Sequence, residues 1–153
     1  MEKDRLNILL NKSPVPCSFH ESTLVNISVE DNKCKLRFII GCFARLHSDI
    51  FKDIWSYNGN DDENMILDVS FDGITELNIS SDIGKVYFIE VNNMENEHNN
   101  TITLNCEYED NQNTIEPLFI SFKFNSFKWE YINNCTYDFD DELFLNTFGV
   151  CKI

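Results

Sequence analysis

The sequence predicts a mainly β fold, with α+β as its nearest variant: an antiparallel sheet forming a sandwich or a partly closed barrel, with one to three short helices at its margins. Three observations carry that prediction. Apolar and polar residues alternate with a period of two over most of the chain, as strands with one buried face require. Thirteen of the 153 residues are Phe, a side chain that favours a pleated, half-buried surface. Asx- and Gly-containing turn signals recur between the alternating runs, the pattern of an all-β sandwich or barrel. No composition break divides the chain, so a single domain over residues 1–153 is expected.

The elements follow in order. Leu6, Leu9 and Leu10 share one face of a short helix over 2–11, which Ser13-Pro14-Val15-Pro16 ends, because a residue before proline is pushed out of the helical region. Thr23 to Glu30 is a strand with Val25, Ile27 and Val29 on one face. Lys33 to Ile40 returns antiparallel to it, with Cys34, Leu36, Phe38 and Ile40 on one side and Asp31-Asn32 as the turn. Ile50, Phe51, Ile54 and Trp55 lie at helical spacing, giving an amphipathic helix over 47–57, followed by an acidic loop over 58–64. Met65 to Phe71, Ile74 to Ile79 and Lys85 to Val91 are the next strands, punctuated by Asp72-Gly73 and by Asp82 to Gly84. Asn92 to Asn100 is polar and reads as a long loop. Thr101 to Glu109 places Ile102, Leu104, Cys106 and Tyr108 on one face, and Asp110 to Thr114 turns into a strand carrying Leu118, Ile120, Phe122 and Phe124. Phe127, Trp129 and Tyr131 continue the alternation, and the tail from Tyr137 reads as an acidic stretch and then a short apolar helix.

Charge decides which partners the chain avoids. Twenty-six acids stand against twelve bases, a formal charge of -14 and a pI near 4.4. Nucleic acid and anionic membranes are excluded on that ground, since phosphate binding draws its strength from basic side chains and counterion release. A basic protein is the partner such a surface attracts. Hydrophobic content of 42% sets the chain apart from acidic disordered tails, which lack a core. The Leu6–Leu10 run is too short for a secretory core and nothing approaches a membrane span, so a cytoplasmic protein with reduced cysteines is expected.

No motif carries chemistry. Cys17 and His20, with Cys34 and Cys42 recruited in space, would make a zinc site, but core thiols and a hydrogen-bonded histidine are the better reading. A nucleophilic cysteine needs an electropositive setting, which so acidic a chain rarely offers. Loops starting at Asn58 or Asp138 fail the calcium pattern, with Glu63 and Leu143 where glycine is required. Phosphate-cradling glycine motifs are missing from the sequence. Lys33, Lys35 and Arg37 form a basic stripe along one strand face, read as a solubilised sheet face. Neither catalysis nor a cofactor is expected.

Phe19-His20-Glu21-Ser22-Thr23-Leu24-Val25-Asn26-Ile27-Ser28-Val29 resembles the opening hairpin of several small bacterial families, in which a His-acid-small tripeptide precedes the first strand. Phe71-Asp72-Gly73-Ile74-Thr75-Glu76-Leu77 is similar to their later Phe-x-Gly-hydrophobic turn. These families include immunity proteins of polymorphic toxin systems and related uncharacterised domains. Glu21 stands where the families usually carry Asp. The resemblance implies a structural motif tying the first strand to a neighbour, and a cytoplasmic protein that binds and neutralises a cognate toxin.

Together these readings lead to the expectation of a non-enzymatic acidic binding protein, most simply an immunity protein for a basic toxin domain, for instance a nuclease. The alternatives are a small β-barrel holding an apolar ligand and an interaction domain of another kind. The partner-binding residues nominated from sequence are the acidic clusters Asp61, Asp62, Glu63 and Asp138, Asp140, Asp141, Glu142, able to mimic phosphate in a basic cleft. Trp55 and Tyr57 stand beside the first cluster as aromatic anchors.

Overall fold

The computed structural model describes residues 8, 22–40, 64–81, 89–97, 99–110 and 112–135. Among the described residues eight strands form one antiparallel sheet: β1 (Ser22–Glu30), β2 (Lys33–Ile40), β3 (Asn64–Asp72), β4 (Thr75–Ile79), β5 (Ile89–Glu97), β6 (Thr101–Glu109), β7 (Ile115–Lys123) and β8 (Ser126–Cys135). Their order across the sheet is β4-β7-β6-β5-β1-β2-β3-β8. The expected antiparallel β architecture is therefore present. The helices expected over 47–57 and after Tyr137 lie outside the described residues, as does all of 2–11 except Ile8, which is helical.

Two short links show how the sheet is folded. Only Gly73 and Ile74 separate β3 from β4, and only Phe124 and Asn125 separate β7 from β8. In a flat sheet of this order β3 and β4 would stand about 29 Å apart across six strand intervals. Two intervening residues reach at most about 11 Å, close to the spacing of stacked sheets. The sheet therefore doubles over into two layers, β1-β2-β3-β8 and β5-β6-β7-β4. They are hinged where β1 and β5 pair through Ser22–Val91, Thr23–Glu90 and Leu24–Ile89. Among the described residues no pairing joins β4 to β8, so the sheet is a sandwich open along that side.

The core fills the space between the layers. The Phe71 ring of β3 meets Phe122 of β7 at 5.0 Å and Phe124 at 5.0 Å, both edge to face, the arrangement aromatic quadrupoles favour. Trp129, Phe38, Phe71 and Phe122 are the largest fully buried side chains. The alternation read for β2, β6 and β7 is observed: Cys34, Leu36, Phe38 and Ile40, then Ile102, Leu104 and Cys106, then Leu118, Ile120, Phe122 and Phe124 belong to one core cluster, with Tyr108 packed against it.

Two readings are corrected. Val25, placed on one face with Ile27 and Val29, stands outside the core cluster, and Leu24 joins Ile27 there instead. A β-bulge between Leu24 and Asn26 causes this, because one extra residue shifts the alternation. The second concerns 92–100, read as a loop. β5 runs through to Glu97 and pairs with β6 along that length, and the turn is confined to its end. A bulge between Val91 and Asn93 breaks the period of two, so buried Val91 and Met94 sit three apart and the strand is masked by its polar outer face.

The Asp31-Asn32 and Asn99-Asn100 turns and the two layer-crossing links gather at one end of the sandwich, opposite the Asp110–Thr114 turn. Asp31 and Asn32 both take positive φ, 52° and 60°, as the tight turn of a β-hairpin requires. The Asn32 carbonyl accepts the Ile74 amide at 2.8 Å, the Asp72 carbonyl accepts the Asn125 amide at 2.8 Å, and the Asn100 carbonyl accepts the Phe124 amide at 3.0 Å. These bonds lash both layer-crossing links to the hairpin turns. Gly73 takes φ +69°, and a Cβ there would run into the Asn125 side chain, so glycine is needed at this point of the Phe-x-Gly-hydrophobic motif.

Candidate functional site: two outer faces of opposite character

All nine residues nominated from sequence (Trp55, Tyr57, Asp61, Asp62, Glu63, Asp138, Asp140, Asp141 and Glu142) lie outside the described residues. So do Cys17, His20 and Cys42. Cys34 is a buried core thiol without a disulfide, and burial pushes its pKa from the ordinary 9.0 to about 12, the opposite of what a nucleophile needs. Among the described residues no group of three or more His, Cys, Asp or Glu side chains is arranged to hold a metal ion. No described helix is long and apolar enough to cross a membrane.

The outer face of β1-β2-β3-β8 carries the basic stripe read from sequence, and register explains what it does. Antiparallel pairing puts Lys33 opposite Asp72 and Arg37 opposite Asp68. Arg37 donates to Asp68 twice, Nε to Oδ1 at 2.7 Å and Nη2 to Oδ2 at 3.0 Å. The Asp68 side chain is only 3% exposed, and a carboxylate so buried survives by such a bidentate partner. These hydrogen bonds to Asp68 are the main cause that raises the Arg37 pKa above its ordinary value, against a lowering by burial. Lys35 reaches the same carboxylate at 3.1 Å and Lys33 lies 3.7 Å from Asp72. The stripe is a ladder of opposite charges, as the sequence reading of a solubilised sheet face implied. A shallow groove of about 430 Å3 runs along it, lined in part by Ser28, Lys35, Ser70 and Lys128.

The outer face of β5-β6-β7-β4 differs. Glu90 of β5 lies directly opposite Glu107 of β6, and like charges so placed are destabilising. Glu95 and Glu109 add negative charge on the same strands. Lys123 is the one described cation of this layer, and it pairs with Glu76 at 3.2 Å. On β7, Ile115 is 69% exposed and Phe119 37% exposed. Register sets Phe119 beside Asn105, and Pro117 beside Glu107, so apolar side chains share one surface with glutamates that no cation among the described residues pairs. The sequence reading had Glu90, Glu107 and Phe119 in strands but missed this face because strand order and register, which set Glu90 against Glu107, are not written in the alternation; it also took Asn92 to Asn100 for a loop. A search for apolar pairs at spacing three, the mark of a bulge, would have recovered β5 through Val91 and Met94.

The fold and its two faces define an antiparallel β-sandwich with one charge-paired surface and one acidic, partly apolar surface. The chain matches no protein-family model, no curated protein and no solved structure.

Proposed function

We propose that this protein is a non-catalytic acidic binding domain that captures a basic protein partner, in the manner of an immunity protein neutralising a cognate toxin domain. The observation that carries this reading is the glutamate pair Glu90–Glu107, without a cation partner among the described residues, on the same face as exposed Phe119. A pair of like charges held opposite each other costs stability in the isolated domain, and a lysine or arginine from a partner reverses that cost. Exposed aromatics next to charge supply the apolar anchor that binding hot spots need. The formal charge of -14 adds long-range attraction, which speeds encounter with a basic partner. The resemblance of residues 19–29 and 71–77 to toxin-immunity families supplies the toxin part of the reading.

The apolar-ligand alternative calls for a hollow between the layers. Trp129, Phe71 and Phe122 fill that space in the described core, which favours the binding domain.

The test is calorimetry between the purified protein and the toxin domain encoded beside its gene, at low and high salt. The reading expects saturable binding that weakens about tenfold or more between 0.05 and 0.5 M salt, as screening of opposite charges demands, together with rescue of cells expressing the toxin. Absence of both complex and rescue refutes it.

A further inference from the structure

The charge ladder on β1-β2-β3-β8 has a gap at its centre. Three rows of charged and polar residues cross this face, beside an apolar row that carries Ile39 and Ile66. One runs Glu30, Lys33, Asp72 and Ser126, and another Asn26, Arg37, Asp68 and Glu130. Each contains a cation directly opposite an acid. The row between them runs Ser28, Lys35, Ser70 and Lys128. It holds two cations and two hydroxyls and no carboxylate.

Cross-strand pairing would place an acid at position 70, where it would face Lys35 on one side and Lys128 on the other. Ser70 stands there instead, exposed to solvent. Lys35 leans diagonally to Asp68, whose two oxygens already accept from Arg37, so its ammonium keeps donors to spare. Lys128 has no acid within ion-pair distance among the described residues. The groove of about 430 Å3 includes all of this row, and Glu30, Asp31, Lys33 and Asp72 also line it.

We propose that the Ser28–Lys35–Ser70–Lys128 row binds a small tetrahedral oxyanion, a phosphate or sulfate group, with Lys35 and Lys128 closing on it from either side and the Ser70 hydroxyl donating from beneath. The geometry suits the task. Lys35 and Lys128 stand one strand interval to either side of Ser70, about 10 Å apart at Cα, and each carries a flexible four-carbon stem. Both ammonium groups reach an oxyanion centred over Ser70. The chain's global charge opposes the approach of an anion, but at physiological salt the screening length is about 8 Å, so the near row outweighs distant acids. Arg37 holds Asp68, and Lys33 lies beside Asp72, which leaves the central row as the electropositive strip of the face. This site lies on the opposite layer from the glutamate face and stands independently of the partner reading above.

The test is an amide-resolved NMR titration of the full-length protein with sodium phosphate at pH 7.5, ionic strength held constant with sodium chloride. Saturable shifts at Ser28, Lys35, Ser70 and Lys128 with an affinity on the order of 1 mM are expected, the scale of a few exposed charge-assisted contacts. Lys128→Ala weakens this about 5-fold or more, and Ser70→Asp abolishes it by filling the gap with a carboxylate, without lowering the melting temperature. Lys123→Ala, on the other layer, leaves it unchanged. A parallel titration with O-phosphoserine identifies the source: tighter binding than inorganic phosphate assigns a phosphorylated side chain, and equal binding assigns the free ion. Shifts that chloride alone reproduces, or full binding by Lys128→Ala, overturn the proposal.

Discussion

The layer β1-β2-β3-β8 and the layer β5-β6-β7-β4 share one core and one strand geometry, yet they treat charge in opposite ways. On the first, acids on β3 stand opposite the bases of β2, and the deepest of them, Asp68, is held in a bidentate bond by Arg37. On the second, β5 and β6 set Glu90 against Glu107, and Ile115 and Phe119 project into solvent. Cross-strand pairs contribute or cost up to about 1 kcal/mol each according to sign. The first layer thus uses its outer face to stabilise the sandwich, whereas the second holds charge and apolar surface that do nothing for the isolated fold. The difference separates a face whose charges mostly pair within the fold from one whose like charges and exposed apolar side chains are the basis of the partner reading proposed above.

The strongest way to break the comparison is to remove what the layers share. Phe71→Ala takes away the ring that meets Phe122 and Phe124 across the sandwich. A loss of about 3–5 kcal/mol in urea unfolding is expected, as for a large aromatic truncated in a packed core, and fluorescence and circular dichroism should report one transition because both layers lose the contact. Two separate transitions would mean that the layers are independent units. Asp68→Ala is expected to cost nearly as much, about 3 kcal/mol, because it strands the partly buried Arg37 without its partner. Lys35→Ala, which removes a half-exposed side chain, should cost no more than about 1 kcal/mol in the same assay. Equal losses for the two variants would show that the ladder acts as a diffuse field, with no single buried pair at its centre.

The strands beneath this contrast were largely legible in the sequence, but only where the inward residues kept a spacing of two. In Cys34 to Ile40, Ile102 to Tyr108 and Leu118 to Phe124 every second residue is apolar, and those residues pack in or against the core as that period dictates. The bulges at Val25 and Asn92 broke the period, and there the reading put Val25 on the same face as Ile27 and took β5 beyond Val91 for a loop. Strand order was hidden for another reason. A link of two residues between alternating runs signals a hairpin, yet Gly73-Ile74 and Phe124-Asn125 carry the chain from one layer to the other. The charge pairing depends on register, which brings Asp68 and Asp72 to the basic stripe from a strand more than thirty residues away. The stripe itself was visible; its partners were not.

The laddered layer also makes an alkaline prediction through Cys34, whose side chain lies on the core side of β2. Its pKa rises through burial from 9.0 to about 12. Below pH 9 the thiol is protonated in both the folded and the unfolded chain, so it adds no pH dependence. Between 9 and about 12 only the unfolded chain releases the proton, and stability falls with rising pH by up to about 1.4 kcal/mol per unit. Urea unfolding at pH 8, 9.5 and 10.5 measures that slope, and Cys34→Ala should flatten this part of it while lowering stability at every pH through the lost packing. An unchanged slope in the variant would place the alkaline sensitivity elsewhere. Native Cys34 should likewise resist alkylation by iodoacetamide at pH 8, because the thiolate is the reacting form.

The smallest expected change in stability sharpens the comparison most, because it separates what the acidic layer does for the fold from what it does for a partner. Glu107→Lys turns the like-charged pair with Glu90 into an opposite-charged one. The isolated domain should become more stable by about 0.2–1 kcal/mol, read as a higher urea midpoint with the slope of the transition unchanged. Binding to a basic partner should move the other way, since a lysine then meets the partner's own cations. A residue whose replacement strengthens the fold and weakens the complex is kept for recognition. If Glu107→Lys instead destabilises the domain, the Glu90–Glu107 pair is compensated within the chain, and the acidic layer is as structural as the laddered one.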